Sequence, residues 1–503
     1  MKQNYKLLLI LLFVSFLVRV FIIWIGRPEF VGWFNHTYYY YVETQGLLES
    51  GKLPFPDMPL LFYIYAATAK ILTWLGVENH IAIVNATRFW MCLIPSLIPI
   101  PIYSIFKNTY KEKTFPKWIW VLLLASAFYP FTLAHMPEFL QKNTLGLLLL
   151  AILIQQSKAI HKGLGVKRIV SLIFIFILIL STHYGSTAAA LLYLVALLLS
   201  HWLHNKNKWT LWLGLSLMLG LVISLYSFYT FDIQRFERII SYINRMGESS
   251  IMGSIFSPNN TDKFTSIIMI AVPLGFVALL YYAYRISKKA LTHENSVFWL
   301  CNILFCYLLL LPIYEPALMQ RFVLFLTLPL LIVIAFTIQY TLKIVFWKRA
   351  LIGFVILGTI LLSIGEITGL VFLNKNKEPI YNDLLVMKET VGFSNNDLIL
   401  TRNGAEHISN WFLMTKSSLI TSFNLEDFEK YNRIFIMNPT EGAMTAPSGA
   451  NEKIQKYQYM VSNIDEPTEA QVIYESSHIK LLQLTFPPKE WKFDDDGYWI
   501  SYN

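Results

Sequence analysis

The chain has 503 residues, of which 55% are hydrophobic and 15% charged, and its formal net charge is +9. Soluble domains carry roughly 25% charged residues, and apolar runs of about 20 residues recur here, so the composition excludes an ordinary soluble protein. The positive charge lies mainly in short segments between apolar runs, as membrane topology requires. It gives no support to a nucleic-acid partner, which would need a basic patch on a soluble domain.

The apolar runs predict a mainly α protein, a polytopic helical membrane bundle of about eleven spans. The first span follows a Lys-bearing start and has no small-residue cleavage site after it, so we expect it to be retained. The three cysteines fall within predicted spans and imply no disulfide framework. The spans run near residues 7–25, 82–106, 117–134, 139–156, 168–182, 185–204, 209–230, 264–284, 296–313, 321–341 and 350–373.

The segments between the spans set the expected orientation. Lys and Arg occupy every second short loop, and most acidic residues before residue 374 occupy the other loops. Because cytoplasmic loops are enriched in Lys and Arg, we expect a cytoplasmic N-terminus and, with an odd number of spans, residues 374–503 on the outer side. The expected location is a prokaryotic inner or cell membrane, with the lipid bilayer around the bundle.

The first outer loop is long, aromatic and acidic. Roughly fifty residues separate the first two spans, where a plain anchor needs only a short turn. Aromatic faces, amides and carboxylates at a membrane surface suit a sugar or a lipid-linked sugar. Glu29, His36 and Asp57 are candidate catalytic groups, and Asn35 and Tyr38 are candidate substrate contacts. The tyrosine run that begins at Tyr38 has a second interpretation, since tyrosines are enriched at membrane interfaces.

Two arginines lie within or beside the early spans. Charges near the membrane core are costly, so each is a candidate for function. Arg19 lies in the first span, and Arg88 lies near the outer end of the second. Each also has a structural alternative, because a long arginine side chain can snorkel to the headgroups or pair with a loop carboxylate. We take Arg88 as a candidate substrate-binding residue.

The third loop, residues 133–142, is expected on the outer side and carries Glu138 and Lys142. Glu138 is a candidate acid and, together with Asp57, a candidate ligand of Mg²⁺ or Mn²⁺, because both metals suit oxygen-rich sites. Lys142 is a candidate substrate contact. Glu138 has a structural alternative, because a carboxylate that opens a helix complements the helix dipole.

Later outer segments add more candidate substrate contacts. His183 lies on a tight turn, and Glu315 and Arg321 lie at the same membrane level. A fixed guanidinium at Arg321 is suited to hold a phosphate through two hydrogen bonds. The long outer loop 231–263 carries basic side chains that fit a diphosphate, an anionic headgroup or a plain interfacial helix.

Residues 374–503 change character, because charge rises and the apolar runs shorten. Strands are predicted at 397–401, 418–421 and 433–437, with helical patterns between them and a hairpin near 471–485. Strands that alternate with helices favour a small α/β domain with a partly parallel sheet. The predicted domains are therefore a transmembrane part, residues 1–373, and an outer-facing part, residues 374–503.

These features resemble the GT-C superfamily, the multispanning glycosyltransferases that use polyprenyl-phosphate-linked sugars. The resemblance implies a membrane-embedded transferase with an outer C-terminal domain, and it covers most of the chain at the level of layout. It rests on an Arg-bearing first helix, a long aromatic outer loop, and the segments Ser50–Pro54, Asp57–Pro59, Asn85–Arg88 and Glu138.

The chain departs from the GT-C pattern at the acidic motif of the first loop. GT-C enzymes usually carry an aspartate shortly after the first helix, whereas Val31 occupies that place here and the first aspartate is Asp57. The Trp-Trp-Asp motif of oligosaccharyltransferases is absent from residues 374–503, so no transfer to asparagine is expected. The resemblance then leaves His36, Glu29 or Asp57 to act as the base.

The residues and the resemblance together predict an inverting glycosyltransferase on the outer face. The donor would be a polyprenyl-phosphate sugar, and the acceptor a hydroxyl of a lipid, glycan or protein. Two alternatives stay open. One is a non-catalytic protein for transport or assembly of lipid-linked glycans, against which the lack of repeated halves argues. The other is a polysaccharide polymerase or ligase, whose large outer loop would be residues 231–263.

Overall fold

The computed structural model describes residues 2–502 apart from residues 26–34, 111–114, 134–139, 161–165, most of 206–262, 402–404, 441–463 and a few shorter gaps. Within these bounds the chain is mainly helical, with a small sheet towards its C-terminal end. The chain divides into two compact units, and each is discontinuous in sequence. The first unit comprises Met1–Ile22, Phe55–Leu61 and Phe89–Glu366, and the second comprises Ile23–Pro54, Phe62–Arg88 and Ile367–Asn503.

The described helices are numbered here in chain order. They are α1 (Lys2–Arg19, followed by a π-helical turn Val20–Ile25), α2 (Asn35–Ser50), α3 (Leu60–Trp74), α4 (Asn79–Ser96), α5 (Pro99–Thr109), α6 (Lys117–Ala127), α7 (Gln141–Ile160), α8 (Val166–Leu180), α9 (Tyr184–Asn205), α10 (Lys263–Ser287), α11 (His293–Leu309), α12 (Pro316–Phe336), α13 (Val345–Lys375), α14 (Glu378–Val391), α15 (Ala405–Leu413) and α16 (Asp427–Lys430).

Five helical stretches in the described part of the chain are long and apolar enough to cross a membrane. They are Asn4–Ile23, Asn79–Thr109, Tyr184–Leu203, Arg321–Thr341 and Val345–Gly365. Other apolar helices, such as α3 and α6, are shorter. The predicted membrane class is therefore supported, but the count of about eleven spans is not confirmed. The predicted span 209–230 falls largely outside the described residues.

Within the first unit, the helices pack around α9 and α11. Helix α9 contacts α7, α8 and α11, and α11 also contacts α10 and α12.

The exposed side of α8 shows why the bundle suits a bilayer. Val170, Ile173, Phe174 and Ile177 are all exposed, and their spacing places them on one face of the helix. An apolar face that none of the described segments covers fits contact with lipid.

Arg19 holds α1 to the turn that follows α6. It is fully buried. Its Nε donates to the Thr132 carbonyl at 3.1 Å, and its Nη2 donates to the Ala127 carbonyl and to Thr132 Oγ1, both at 2.8 Å. Its Nη1 donates to the Ser15 carbonyl at 3.2 Å. These bonds satisfy the guanidinium inside the bundle, so Arg19 acts as a structural clamp between α1 and residues 127–132.

The second unit contains a five-stranded sheet in the order β2-β1-β3-β5-β4. Strand β1 runs parallel to β2 and β3, whereas β5 is antiparallel to β3 and β4. The partly parallel sheet and the C-terminal hairpin therefore agree with the sequence pattern. The strands are β1 (Asp397–Thr401), β2 (Lys416–Leu419), β3 (Arg433–Pro439), β4 (Gln471–Glu475) and β5 (Ile479–Leu484), and a separate pair is formed by β6 (Trp491–Phe493) and β7 (Trp499–Tyr502).

Helix α2, from the first outer loop, packs in the second unit against α15. Its aromatic side chains make this contact: the Tyr41 ring lies 5.0 Å from the Trp411 ring, and the Tyr39 ring lies 5.0 Å from the His407 ring, centroid to centroid. Helix α2 of the first loop thus shares a compact unit with the C-terminal sheet. The compact units have other bounds than the predicted domains, residues 1–373 and 374–503. The division into a transmembrane part and an outer-facing part stays a prediction.

Candidate functional site

Three segments that are far apart in sequence meet within the first unit. They are residues 57–60, the first turn of α7, and the turn 181–183 between α8 and α9. The Leu60 N–H donates to the Ser181 carbonyl at 3.0 Å, which fixes the first of these segments to the third. A salt bridge between Asp57 and Lys142 fixes the first segment to α7. Polar residues from all three segments are thereby held close together.

Asp57 and Lys142 form a buried ion pair. They are only 9% and 8% exposed, and the Lys142 Nζ donates to Asp57 Oδ2. The other carboxylate oxygen, Oδ1, accepts from the Met58 N–H at 2.6 Å. An unpaired buried charge is strongly destabilising, so each partner stabilises the burial of the other. The pair also places a negative charge beside the N-terminal end of α7, where the helix dipole favours it.

His183 lies next to this pair on the turn that precedes α9. It is 9% exposed, and its Nδ1 accepts a hydrogen bond from the Gly185 N–H at 3.1 Å. Burial, followed by the charges of Lys142 and Arg321, lowers the pKa of His183 well below its usual range, and Asp57 opposes this only in part. The imidazole is therefore neutral, and because Nδ1 accepts, Nε2 carries the proton.

Arg321 supplies a second cation from α12. It is half-buried, and its charge acts on His183 together with that of Lys142. Among these four residues, two cations stand against the single negative charge of Asp57. Such a group is suited to an anion, and a guanidinium and an ammonium are the side chains that bind phosphate most often. The structure thus brings together four of the predicted site residues: Asp57, Lys142, His183 and Arg321.

A buried amide next to this group was not predicted. Asn143, in the first turn of α7, is 1% exposed, and its Oδ1 has no hydrogen-bond partner among the residues that the structure describes. A Cβ added to Gly185 would lie 3.8 Å from Asn143 Oδ1 and 3.0 Å from His183 Cε1, so both side chains border the same small space. The signal in the sequence is the polar run Gln141–Thr144 at the start of an apolar helix, in which only Lys142 is charged.

Two other predicted residues belong to the second unit. Tyr38 is fully buried there, with its ring 5.4 Å from Phe412 and 5.9 Å from Tyr381, so its packing alone accounts for its position. Arg88 is also buried, at 3% exposure, on α4. The substrate contacts proposed for them stay predictions.

The remaining predicted residues are described in part or not at all. Asn35 and His36 form the start of α2, but their side chains lie outside the described part of the structure. Glu29, Glu138 and Glu315 lie outside the described residues altogether. Their proposed roles as base, acid, metal ligand or substrate contact therefore stay predictions.

The described residues alone do not make a divalent-metal site. Among them, no group of three His, Cys, Asp or Glu side chains lies close enough to hold one ion. Asp57, the one predicted ligand that is described, is bonded to Lys142 and to a backbone N–H. The predicted Mg²⁺ or Mn²⁺ site depends on Glu138 and stays a prediction.

No protein-family model matches the sequence, and no curated protein matches it either. Among solved structures, the crystal structure of ArnT from Cupriavidus metallidurans in the apo state has a similar fold. The TM-score is 0.52 with 11% identical residues, and the match covers 97% of this chain and 99% of the ArnT chain. At this identity the similarity concerns the fold alone. It confirms the resemblance predicted from the sequence at the level of the fold: the chain has an ArnT-like fold.

Proposed function

We propose that this protein is a membrane glycosyltransferase that moves a sugar from a polyprenyl-phosphate donor to a hydroxyl of a lipid, glycan or protein acceptor. The transfer takes place at the outer face of the cell (inner) membrane, in keeping with the positive-inside pattern of the loops. One observation carries the proposal: Asp57, Lys142, His183 and Arg321 lie together in one unit of a chain that has the GT-C fold.

The charges of this group match the change in charge that the reaction requires. A polyprenyl-phosphate sugar is a phosphodiester with one negative charge, and its departing polyprenyl phosphate carries up to two. Lys142 and Arg321 offer two positive charges, of which Asp57 offsets one in the resting state. Cations that are fixed in place before the reaction stabilise charge that develops in the transition state more than charge already present in the donor.

The transfer itself is a single displacement with inversion. The acceptor oxygen attacks the anomeric carbon and forms the new glycosidic bond, while the bond from that carbon to the phosphate oxygen breaks and its electron pair leaves with the phosphate. The acceptor proton passes to one of the predicted bases, Asp57, His36 or Glu29, of which Asp57 is the one whose side chain is described. No step here depends on the predicted metal.

The test is a transfer assay on the full chain in lipid nanodiscs, with radiolabelled polyprenyl-phosphate sugars as donors. Arg321→Ala should abolish transfer at unchanged expression, because one of the two cations is lost; removal of one such group typically lowers the rate by about 10²–10³. Arg285→Ala is the matched control, since Arg285 is an exposed arginine in the last turn of α10 and should be replaceable. Unchanged transfer by Arg321→Ala would contradict the proposed role.

A further inference from the structure

Three buried polar atoms at the starts of α7 and α9 have no hydrogen-bond partner among the residues described. They are Asn143 Oδ1, Thr144 Oγ1 and Ser186 Oγ, on side chains that are 1%, 3% and 0% exposed. Roughly 90% or more of buried polar groups in proteins are hydrogen-bonded, so three such atoms on two neighbouring helix ends call for an explanation. The proposed mechanism uses none of them.

The two helix ends are in close contact, which defines where these atoms lie. A Cβ added to Gly146 of α7 would stand 1.9 Å from Ser186 Oγ of α9, so the absence of a side chain at Gly146 is what lets the helices approach. Nearby, Asn143 Oδ1 in the first turn of α7 and His183 Cε1 on the turn before α9 both lie within 4 Å of the position that a Cβ on Gly185 would take. Asn143 and His183 therefore flank one small polar space.

The hydrogen-bonding capacities of the two side chains select one kind of ligand group. Asn143 Oδ1 only accepts. His183 Nδ1 already accepts from the Gly185 N–H, so its remaining ring nitrogen, Nε2, donates. A phosphate or carboxylate cannot donate to Asn143, and an ammonium cannot accept from His183. A hydroxyl does both.

The neighbours of this space indicate which hydroxyl it would bind. Asn143 directly follows Lys142 in the chain, and the charges of Lys142 and Arg321 act on His183. If those cations hold the donor phosphate, the space beside them lies where the sugar attached to that phosphate would be. We propose that Asn143 and His183 form a hydroxyl-binding subsite for the donor sugar; this inference rests on the proposed function.

A subsite built in this way selects strongly among sugars. A buried site made to hydrogen-bond a hydroxyl rejects analogues that lack it, because its own polar groups are then left unpaired. The donor would therefore carry a free hydroxyl at one fixed ring position, and removal of that hydroxyl should weaken binding at least about ten-fold.

The experiment measures binding rather than transfer, using native mass spectrometry or tryptophan fluorescence of the full chain in nanodiscs. The probes are bare polyprenyl phosphate and its glucosyl, galactosyl and mannosyl esters, followed by the monodeoxy forms of the ester that binds best. The wild type should prefer one ester to the bare phosphate, and one deoxy form should lose at least about ten-fold in affinity. Asn143→Ala should bind the parent ester and that deoxy form equally, while binding of the bare phosphate is unchanged.

Three further variants test the same subsite. Asn302→Ala removes another fully buried asparagine, on α11, whose Nδ2 donates to the Phe298 carbonyl, and it should keep the preference for the parent sugar. His183→Gln retains a side-chain N–H donor and should keep most of the preference, whereas His183→Phe should lose it. The comparison of the parent ester with its monodeoxy forms on the wild type tests the subsite even if a variant fails to fold.

The possible outcomes distinguish failure of the proposed subsite from failure of the proposed function. If no ester binds better than bare phosphate, or if every deoxy form binds as well as its parent, the subsite is wrong and the phosphate-binding function stands. The same holds if Asn143→Ala keeps the wild-type discrimination, which is the result expected if only water occupies the space. If the wild type binds neither the bare phosphate nor any ester, the proposed function fails as well.

Discussion

At the scale of single residues, the Asp57–Lys142 pair shows how two charges can be buried together although the burial of either one alone would destabilise the fold. Each ion would be strongly destabilising alone, and their hydrogen bond, with the Met58 N–H on the other oxygen, offsets much of that cost. Removal of one partner should therefore be worse than removal of both. The pair is poised for ligand binding, because a phosphate would compete with Asp57 for the Lys142 ammonium.

The first prediction concerns this pair. Lys142→Met leaves Asp57 buried without its counter-ion, so we expect a loss of about 3–5 kcal/mol in unfolding free energy. The double variant Asp57→Asn with Lys142→Met removes both charges and should recover most of that stability, but not sugar transfer. Thermal unfolding in detergent, compared across a double-mutant cycle, measures this. A double variant as unstable as the sum of the two single variants would show that the charges are not coupled.

His183 gives a prediction about pH. Burial, Lys142 and Arg321 lower its pKa in the folded protein, so below the ordinary histidine pKa of about 6.5 the unfolded chain binds a proton that the folded chain does not. The stability that neutral His183 contributes is thus complete above that pH and is lost on acidification, by about 1 kcal/mol per pH unit.

The measurement is the difference in stability between wild type and His183→Gln. Glutamine does not titrate, so the advantage of the wild type should shrink as the pH falls from about 7.5 to about 5.5. His293→Gln serves as a control, because His293 is an exposed histidine of the same unit, at the start of α11. A constant difference over this range would mean that His183 has the same pKa in both states.

At the residue scale, a charge within an apolar run is conspicuous in the sequence, whereas a neutral side chain whose role depends on its surroundings is not. The sequence marked both Arg19 and Arg321 because charges near a membrane core are costly. It could not show that carbonyls and hydroxyls from residues 15, 127 and 132 satisfy Arg19 completely. Asn143 was missed because a neutral amide gives no such signal, and its unpaired oxygen is a property of the fold.

At the scale of elements, the predicted span 82–106 shows that hydropathy detects an apolar segment but not a break between two helices within it. Its apolar character is correct, since Asn79–Thr109 is long and apolar enough to cross a membrane. The structure divides it into α4 and α5, however, with Pro95 inside the first helix and Pro99 and Pro101 at the start of the second. Proline lacks a backbone N–H and clashes with the preceding turn, which explains the break.

The close contact at the start of α9 gives an element-scale prediction. A Cβ on Gly185 would lie 3.0 Å from His183 Cε1 and 3.1 Å from Nδ1, so Gly185→Ala must displace the imidazole. We expect a loss of about 1–3 kcal/mol in stability and a fall in transfer. Gly275→Ala on α10 is the control, because nothing lies within 4 Å of its added Cβ. A Gly185→Ala variant with normal transfer would show that the exact placement of His183 does not matter.

At the scale of the whole molecule, each compact unit consists of segments that are far apart in the chain. The sequence does not show which segments belong together. Helix α2 of the first outer loop and the C-terminal sheet share one unit, although more than 300 residues separate them. Composition reveals a change near residue 374, but it carries no information about which distant segment will cover an apolar face. The packing of α2 against α15 is therefore a result of the structure alone.

The orientation of the chain in the membrane is the last prediction. The three cysteines, Cys92, Cys301 and Cys306, are at most 1% exposed, so an introduced surface cysteine should be the main site of labelling. Glu429→Cys and Lys289→Cys place thiols at exposed positions that the positive-inside rule assigns to opposite sides. In intact cells, a membrane-impermeant maleimide should label the variant at residue 429 and should reach residue 289 only after permeabilisation. The reverse pattern would place the C-terminal domain in the cytoplasm, where a polyprenyl-phosphate donor on the outer face is out of reach, and would remove the basis for outer-face transfer.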